Sequence, residues 1–220
     1  HYSTLAEVNR ISILPLVPNR GLIFERHGKV LAQNYSAYAL EITPSKVPDI
    51  ESTLDELAAF IEITPTDRQR FMKLMKESRR FKSLPIRNRL NEIEIATFAT
   101  NRYRFPGVEI KSRVFRQYPE KELVSHVVGY ISRINDKDLD FLELNNELNN
   151  YRGSQHIGKI GIEQSYEKQL HGITGFEEVE TDAAGRSIRV LSRTLPISGN
   201  NLILSLDFGL QEAVEKAFGD

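Results

Sequence analysis

Within "GIEQSYEKQL" (161–170), Ser165 and Lys168 stand three residues apart. On a helix that spacing puts a hydroxyl and an amine on one face. Ser-x-x-Lys is also a nucleophile motif of serine acyl transfer, which works together with a second polar motif and a Lys-Thr-Gly-type run. Those partners are missing. Lys82-Ser83 is followed by Leu84, and Lys111-Ser112 by Arg113, so neither Lys-Ser pair continues into glycine. Ser198-Gly199-Asn200 lies in a predicted turn, too close downstream for an intervening helical module. With 16 Ser and 11 Lys in 220 residues, chance alone supplies about one such match. Ser165 and Lys168 therefore read as a solvated helix face, and self-contained serine acyl transfer is the weakest of three functional readings.

The other chemistry-bearing residues are sparse. His1, His27, His126, His156 and His171 form no His-x-x-x-His pair. "GKIGIE" lacks the glycine spacing of a phosphate loop. Glu177 and Glu178 are adjacent on a predicted strand, so they point to opposite faces and share no proton task. The chain has no cysteine, which excludes disulfides, thiol catalysis and Cys-ligated zinc. No metal or cofactor is expected.

Charge is uneven although the net value is −1. From Arg68 to Arg116 there are fourteen Lys/Arg against Glu77, Glu92, Glu94 and Glu109, a local excess of ten. Phe71, Phe81, Phe98, Tyr103, Phe105, Phe115 and Tyr118 are interleaved. An anion-binding or nucleic-acid-binding module is the second reading. The structural alternative, aromatics inward and charges solvated, is favoured, because no nucleic-acid motif accompanies the charges, and no nucleic-acid partner is expected.

The positioning elements are legible from periodicity and punctuation. "ISILPLV" and "NRGLIFERHGKVLAQN" read as short strands, with Arg26-His27-Gly28 a hairpin turn. "SAYALEIT" alternates like a half-buried strand. "PDIESTLDELAAFIEITP" is a helix capped by Ser52-x-x-Asp55 and stopped by Pro65, and a second helix starts with Thr66-x-x-Gln69. A third follows Asn91. "GVEIKSRVFRQY" is a strand. "PEKELVSHVVGY" is a helix opened by Pro119 and closed by Gly129. "DKDLDFLELNNELNN" is helical, and residues 161–171 form one helix ended by Gly172. Three strands, "FEEVETD", "RSIRVLSRT" and "NLILSLD", follow, joined by turns at Ala184-Gly185 and Ser198–Asn201. Asp207 caps a last helix with Leu210, Val214 and Phe218 on one face. No run of 18 apolar residues exists.

Several stretches taken together carry a family resemblance. "NRGLIFERHGKVLAQN" resembles the motif that follows the membrane anchor of class B penicillin-binding proteins, through Arg20, Gly21, Ile23, Arg26, Gly28, Leu31 and Ala32; Glu25 and His27 replace the usual Asp and Asn. "RFPGVEI" with "RQYPEKELVSHVVGYISRI" resembles a second block, through Arg104, Pro106, Gly107, Tyr118, Pro119, His126, Gly129 and Tyr130. "GKIGIEQSYEKQLHGITG" resembles a third, through Gly158, Gly161, Glu163, Tyr166, Leu170, Gly172 and Gly175. The details are most similar to the penicillin-binding protein 2 branch of the elongation machinery.

The resemblance implies an α+β fold: a discontinuous strand-rich pedestal (1–50 and 152–206), an inserted helical head lobe (51–151), and the truncated start of a transpeptidase domain (207–220). The nucleophile would lie downstream of this chain, leaving the fragment non-catalytic. The single-pass anchor would precede residue 1, placing the chain on the periplasmic side of the bacterial inner membrane. The implied partners are an MreC-like scaffold protein and a RodA-like glycosyltransferase. Peptidoglycan stem peptides and β-lactams would bind the missing domain. Arg20, Arg26, Arg104, Arg116 and Glu163 are expected in inter-strand or inter-lobe ion pairs, with Gly21, Gly28, Pro106, Gly129 and Gly161 as structural joints. Leu57, Phe60, Ile61, Phe71, Leu74 and Met75 are candidate docking contacts wherever they remain exposed.

Overall fold

In the computed structural model the described residues are 10–77, 83–181 and 187–218. The elements in the first half are β1 (Arg10–Leu16), β2 (Ile23–Phe24), β3 (Val30–Ile42), α1 (Ile50–Ala58), α2 (Pro65–Glu77), β4 (Leu84–Arg87), α3 (Glu92–Asn101) and β5 (Val108–Gln117). Then come α4 (Ser125–Val128), β6 (Ile131–Arg133), α5 (Asp136–Leu144), β7 (His156–Gly158), α6 (Gly161–Ser165), α7 (Glu167–His171), β8 (Gly175–Thr181), β9 (Ser187–Thr194), β10 (Leu202–Ile203) and α8 (Phe208–Phe218). The architecture is α+β with several small sheets.

The chain divides into two compact units, 35–115 and the discontinuous pair 1–34 with 116–220. The sequence alone places the divisions at 50/51 and 151/152. The reason for the difference is packing. Leu40 and Ile42 of β3, with Leu84 and Ile86 of β4, share one cluster with helical Leu54, Leu57, Phe71 and Phe98. Residues 118–128 belong instead with Ile23, Leu31 and Leu170. The helical head therefore carries its own strands.

In unit 35–115, β3 pairs antiparallel with β4, Leu40 opposite Arg87 and Ile42 opposite Leu84. Two caps differ from the sequence reading. Asp49, not Ser52, caps α1: it sits on extended backbone (φ −128, ψ 105) and accepts from Ser52 N–H, whereas Ser52 is already inside the first turn. Thr64, not Thr66, caps α2: the Thr64 N–H and hydroxyl donate to Asp67 Oδ2, and Asp67 N–H donates back to Thr64 Oγ1. Pro65 consequently opens α2 instead of stopping α1, the position where its missing N–H is harmless. Asn91 caps α3 through a reciprocal box with Glu94, as its spacing predicts.

In the other unit, β8 pairs with β1 and β9 to make a three-stranded antiparallel sheet. Pro15 lies in β1 opposite Phe176, tolerated because β1 is an edge strand. β10 does not continue this sheet. It pairs in parallel with β2, Leu202 opposite Ile23, because Leu202, Leu204 and Leu206 pack on the cluster of Ile23, Leu31, Val124, Val128 and Leu170. The turn expected at Ala184-Gly185 lies outside the described residues. The helix expected over 161–171 is two short helices broken at Tyr166 (φ −112, ψ 23) and ended by Gly172. Around Pro119 the chain is not yet helical; a 3-10 turn, Lys121–Val124, leads into α4.

Candidate functional site

The acyl-transfer reading fails on geometry. Ser165 ends α6 and Lys168 lies in α7, both exposed, and Lys168 Nζ is 3.0 Å from Glu147 Oε1.

The chemistry on the same stretch points inward. Glu163 is fully buried on the first turn of α6. Its Oε2 accepts from Arg20 Nε at 2.7 Å, and its Oε1 accepts from Arg116 Nε at 2.8 Å and from the Tyr118 hydroxyl at 3.3 Å. Arg20 also reaches Glu167 in bidentate fashion, NH1 to Oε1 at 3.0 Å and NH2 to Oε2 at 2.6 Å. Although the helix breaks between them, Glu163 and Glu167 keep the four-residue spacing that faces both inward. Glu167 further accepts from the Tyr151 hydroxyl (2.7 Å) and Gly158 N–H (2.8 Å). Arg116 NH1 donates to Gly21 O (2.8 Å) and Asn34 Oδ1 (2.9 Å), and Asn34 Nδ2 donates to Arg20 O. Residues 20–34 and 116–167 are thus tied by charge-assisted bonds, the strong kind, and arginine's planar fork suits such a joint.

Electrostatics match this closed arrangement. Burial works against the Arg20 charge, but the hydrogen bonds and fields of Glu167 and Glu163 outweigh it and hold the guanidinium charged. Burial also opposes ionisation of Glu167, yet Arg20, Tyr151 and Gly158 hold its carboxyl below the ordinary carboxylate value. Burial and the nearby carboxylates push the Tyr118 and Tyr151 phenols up, so both stay protonated donors. The charged groups of the junction are engaged with one another and hold its segments together.

Beside it, His171 is buried and stacked on Tyr151, with ring centroids 4.0 Å apart, and its Nε2 lies 2.9 Å from Ser154 Oγ. Burial pushes its pKa below the ordinary 6.5, against the smaller raising effects of Gly172 O and Glu167. A lowered histidine pKa contributes stability that is complete above the unfolded value and is lost as pH falls through and below it. Glu167 behaves likewise below its ordinary 4.5. The melting temperature is expected to fall as pH drops through and below about 6.5 through His171, and further below about 4.5 through Glu167. Thermal melts across pH check this: His171→Gln should flatten the upper limb and leave the lower one.

Within their unit the structure brings together Arg20, Gly21, Arg116 and Glu163 but not Arg26. Arg26 is half exposed with Asp207 3.9 Å away. Arg104, in the other unit, lies 3.5 Å from Glu56 and over the Phe60 ring. Pro106 is exposed just before Gly107. Gly129 (φ +75) and Gly161 (φ +63) are mutual close approaches: a Cβ on Gly129 would lie 1.9 Å from Ile160 O, and one on Gly161 2.5 Å from Val127 O. Gly28 (φ +91) makes the β2–β3 turn. Sequence reasoning misses Glu167, Asn34 and Tyr151; the spacing of Glu167 from Glu163 is the one signal that points to any of them.

The docking expectation is corrected. Leu57, Ile61, Phe71 and Leu74 are buried in the core of unit 35–115, and Phe60 and Met75 are half-buried against the same cluster. Their helical spacing marks a face turned to β3 and β4, not a surface. The basic segment is also largely answered from within: Arg68 pairs with Asp55, Arg70 and Arg87 with Asp67, Arg104 with Glu56, and Arg113 with Glu41. Residues 35–115 hold fourteen basic and eleven acidic side chains, a balance of +3, so an anion-binding face is not favoured.

Against known proteins, residues 15–204 match the Penicillin-binding Protein dimerisation domain. The chain is 44% identical over 214 residues to the peptidoglycan D,D-transpeptidase MrdA of Escherichia coli K12, covering 97% of this chain and 34% of that protein. It is 41% identical to the MrdA of Acinetobacter baumannii, over 96% of this chain and 31% of that protein. The chain thus spans about a third of the length of the curated relatives it matches. A solved structure, the complex between penicillin-binding protein 2 and MreC from Helicobacter pylori, matches with a TM-score of 0.74 and 26% identity, over 96% of this chain and 39% of that one. By the extent of the domain match, the chain belongs to the penicillin-binding protein dimerisation-domain family.

Proposed function

We propose that this chain is the non-catalytic module of a peptidoglycan D,D-transpeptidase of cell-wall elongation and rod shape. It positions a catalytic domain that it does not itself contain, and it docks an MreC-like scaffold protein and a RodA-like glycosyltransferase. Its place is the periplasmic side of the bacterial inner membrane. Among the described residues no helix is long and apolar enough to cross a membrane. The observation that carries the reading is the 44% identity to a D,D-transpeptidase along 97% of the chain, on residues whose buried charges are committed to holding segments together. The similarity to penicillin-binding protein 2 of Helicobacter pylori, solved in complex with MreC, supports the MreC-like partner.

Intact-mass measurement after incubation with penicillin tests the non-catalytic claim. The expected result is an unmodified chain. A stoichiometric adduct that disappears in Ser165→Ala would overturn it.

A further inference from the structure

Helix α8 leaves the unit with Leu210 and Phe218 well exposed. Its start meets the β2–β3 turn, residues 25–29, and further along Gln211 Nε2 donates to Leu123 O at 3.3 Å. Glu25 is 2% exposed although it is a carboxylate. Its Oε1 accepts from His27 N–H at 2.7 Å and Lys29 N–H at 3.1 Å, which closes the turn around Gly28. Its Oε2 is buried with no hydrogen-bond partner among the described residues. Two ties run between this turn and the start of α8. Arg26 N–H donates to Leu206 O at 3.0 Å, and Lys29 Nζ sits 3.3 Å from the Phe208 ring centroid. Asp207, which caps α8 through Leu210 N–H, lies 3.4 Å from His27 Nε2.

From these contacts we infer that the β2–β3 turn aims helix α8, with Glu25 as the positioning residue. The Glu25 carboxylate closes the turn, and the closed turn holds the helix start through Arg26 N–H and Lys29, so the two move as one piece. An anion is the stronger acceptor for the two N–H groups on Oε1, so an amide in its place loosens the turn. The cation of Lys29 over the Phe208 ring restrains the first turn from the other side. That α8 leads toward a catalytic domain rests on the proposed function; the aiming itself does not.

The test is a distance distribution between nitroxide labels on Gln169→Cys and Glu215→Cys. Both positions are exposed, and the chain has no cysteine of its own. The parent should give one narrow distance. Glu25→Gln should widen the distribution about twofold or more, with the junction around Glu163 still folded by circular dichroism. Lys29→Gln should widen it in the same sense, and decides the matter if Glu25→Gln fails to fold. Unchanged widths in the folded variants, even with a lowered melting temperature, would make Glu25 a stability residue only and overturn the aiming role. The distance reads α8 alone, so this outcome is distinct from failure of the proposed cellular function.

Discussion

Glu163→Ala is expected to destabilise the unit formed by 1–34 and 116–220 by about 3–5 kcal/mol, because removing one partner of a buried ion pair leaves its charges uncompensated. Two arginines depend on this carboxylate. The Arg116 side chain is 2% exposed and that of Arg20 11%, so neither can turn to water for replacement. The melting temperature should fall by roughly 10 °C. Arg20 retains Glu167, whereas Arg116 retains only Gly21 O and Asn34 Oδ1, both neutral. The larger share of the loss therefore belongs to Arg116. A double-mutant cycle makes this specific: Arg116→Met with Glu163→Ala should cost less than the sum of the single losses, since the orphaned charge goes too. Additive losses measured by thermal or urea unfolding would mean that the two side chains do not act as a pair.

Phe71→Ala is the second large effect, expected to cost about 3–5 kcal/mol in unit 35–115. Phe71 has no exposed surface and packs with Leu57, Leu74, Leu84 and Ile86 between helices and strands. Truncation leaves a cavity whose rigid lining cannot close over it. Leu57→Ala should cost about 2–5 kcal/mol for the same reason. Urea unfolding with separate probes in each unit checks both. A variant at either position that keeps full stability but loses a partner would restore the docking role that burial denies.

Which features the sequence exposes follows from the range of the interaction involved. Asn91 is legible as a helix start because its cap is closed within four residues; Asn135 closes an equal box ahead of α5 that the sequence reading does not name. The α1 and α2 caps are displaced by two or three residues because Ser52 and Thr66 satisfy the same local pattern as Asp49 and Thr64. Which one wins depends on where the chain leaves extended backbone. Arg20, Arg116 and Glu163 are recognisable as members of matching motifs, but their convergence on one carboxylate spans 143 residues and has no local signature. The apolar faces of α1 and α2 are legible, yet periodicity says only that a face is apolar, not whether β3 and β4 cover it. The unit boundaries fall inside β3 and β5, and a continuous strand carries no mark of where its packing partners change. The parallel pairing of β10 with β2 is equally invisible, since sequence neighbours favour hairpins.

The measurement that bears most directly on a docking and positioning module is calorimetric titration of this chain with the soluble periplasmic part of an MreC-like protein from the same organism. Saturable binding with about micromolar affinity is predicted, retained in Ser165→Ala and weakened by Glu163→Ala at temperatures where its unit is unfolded. No heat and no complex at concentrations about a hundredfold higher, with both units folded, would contradict the docking claim.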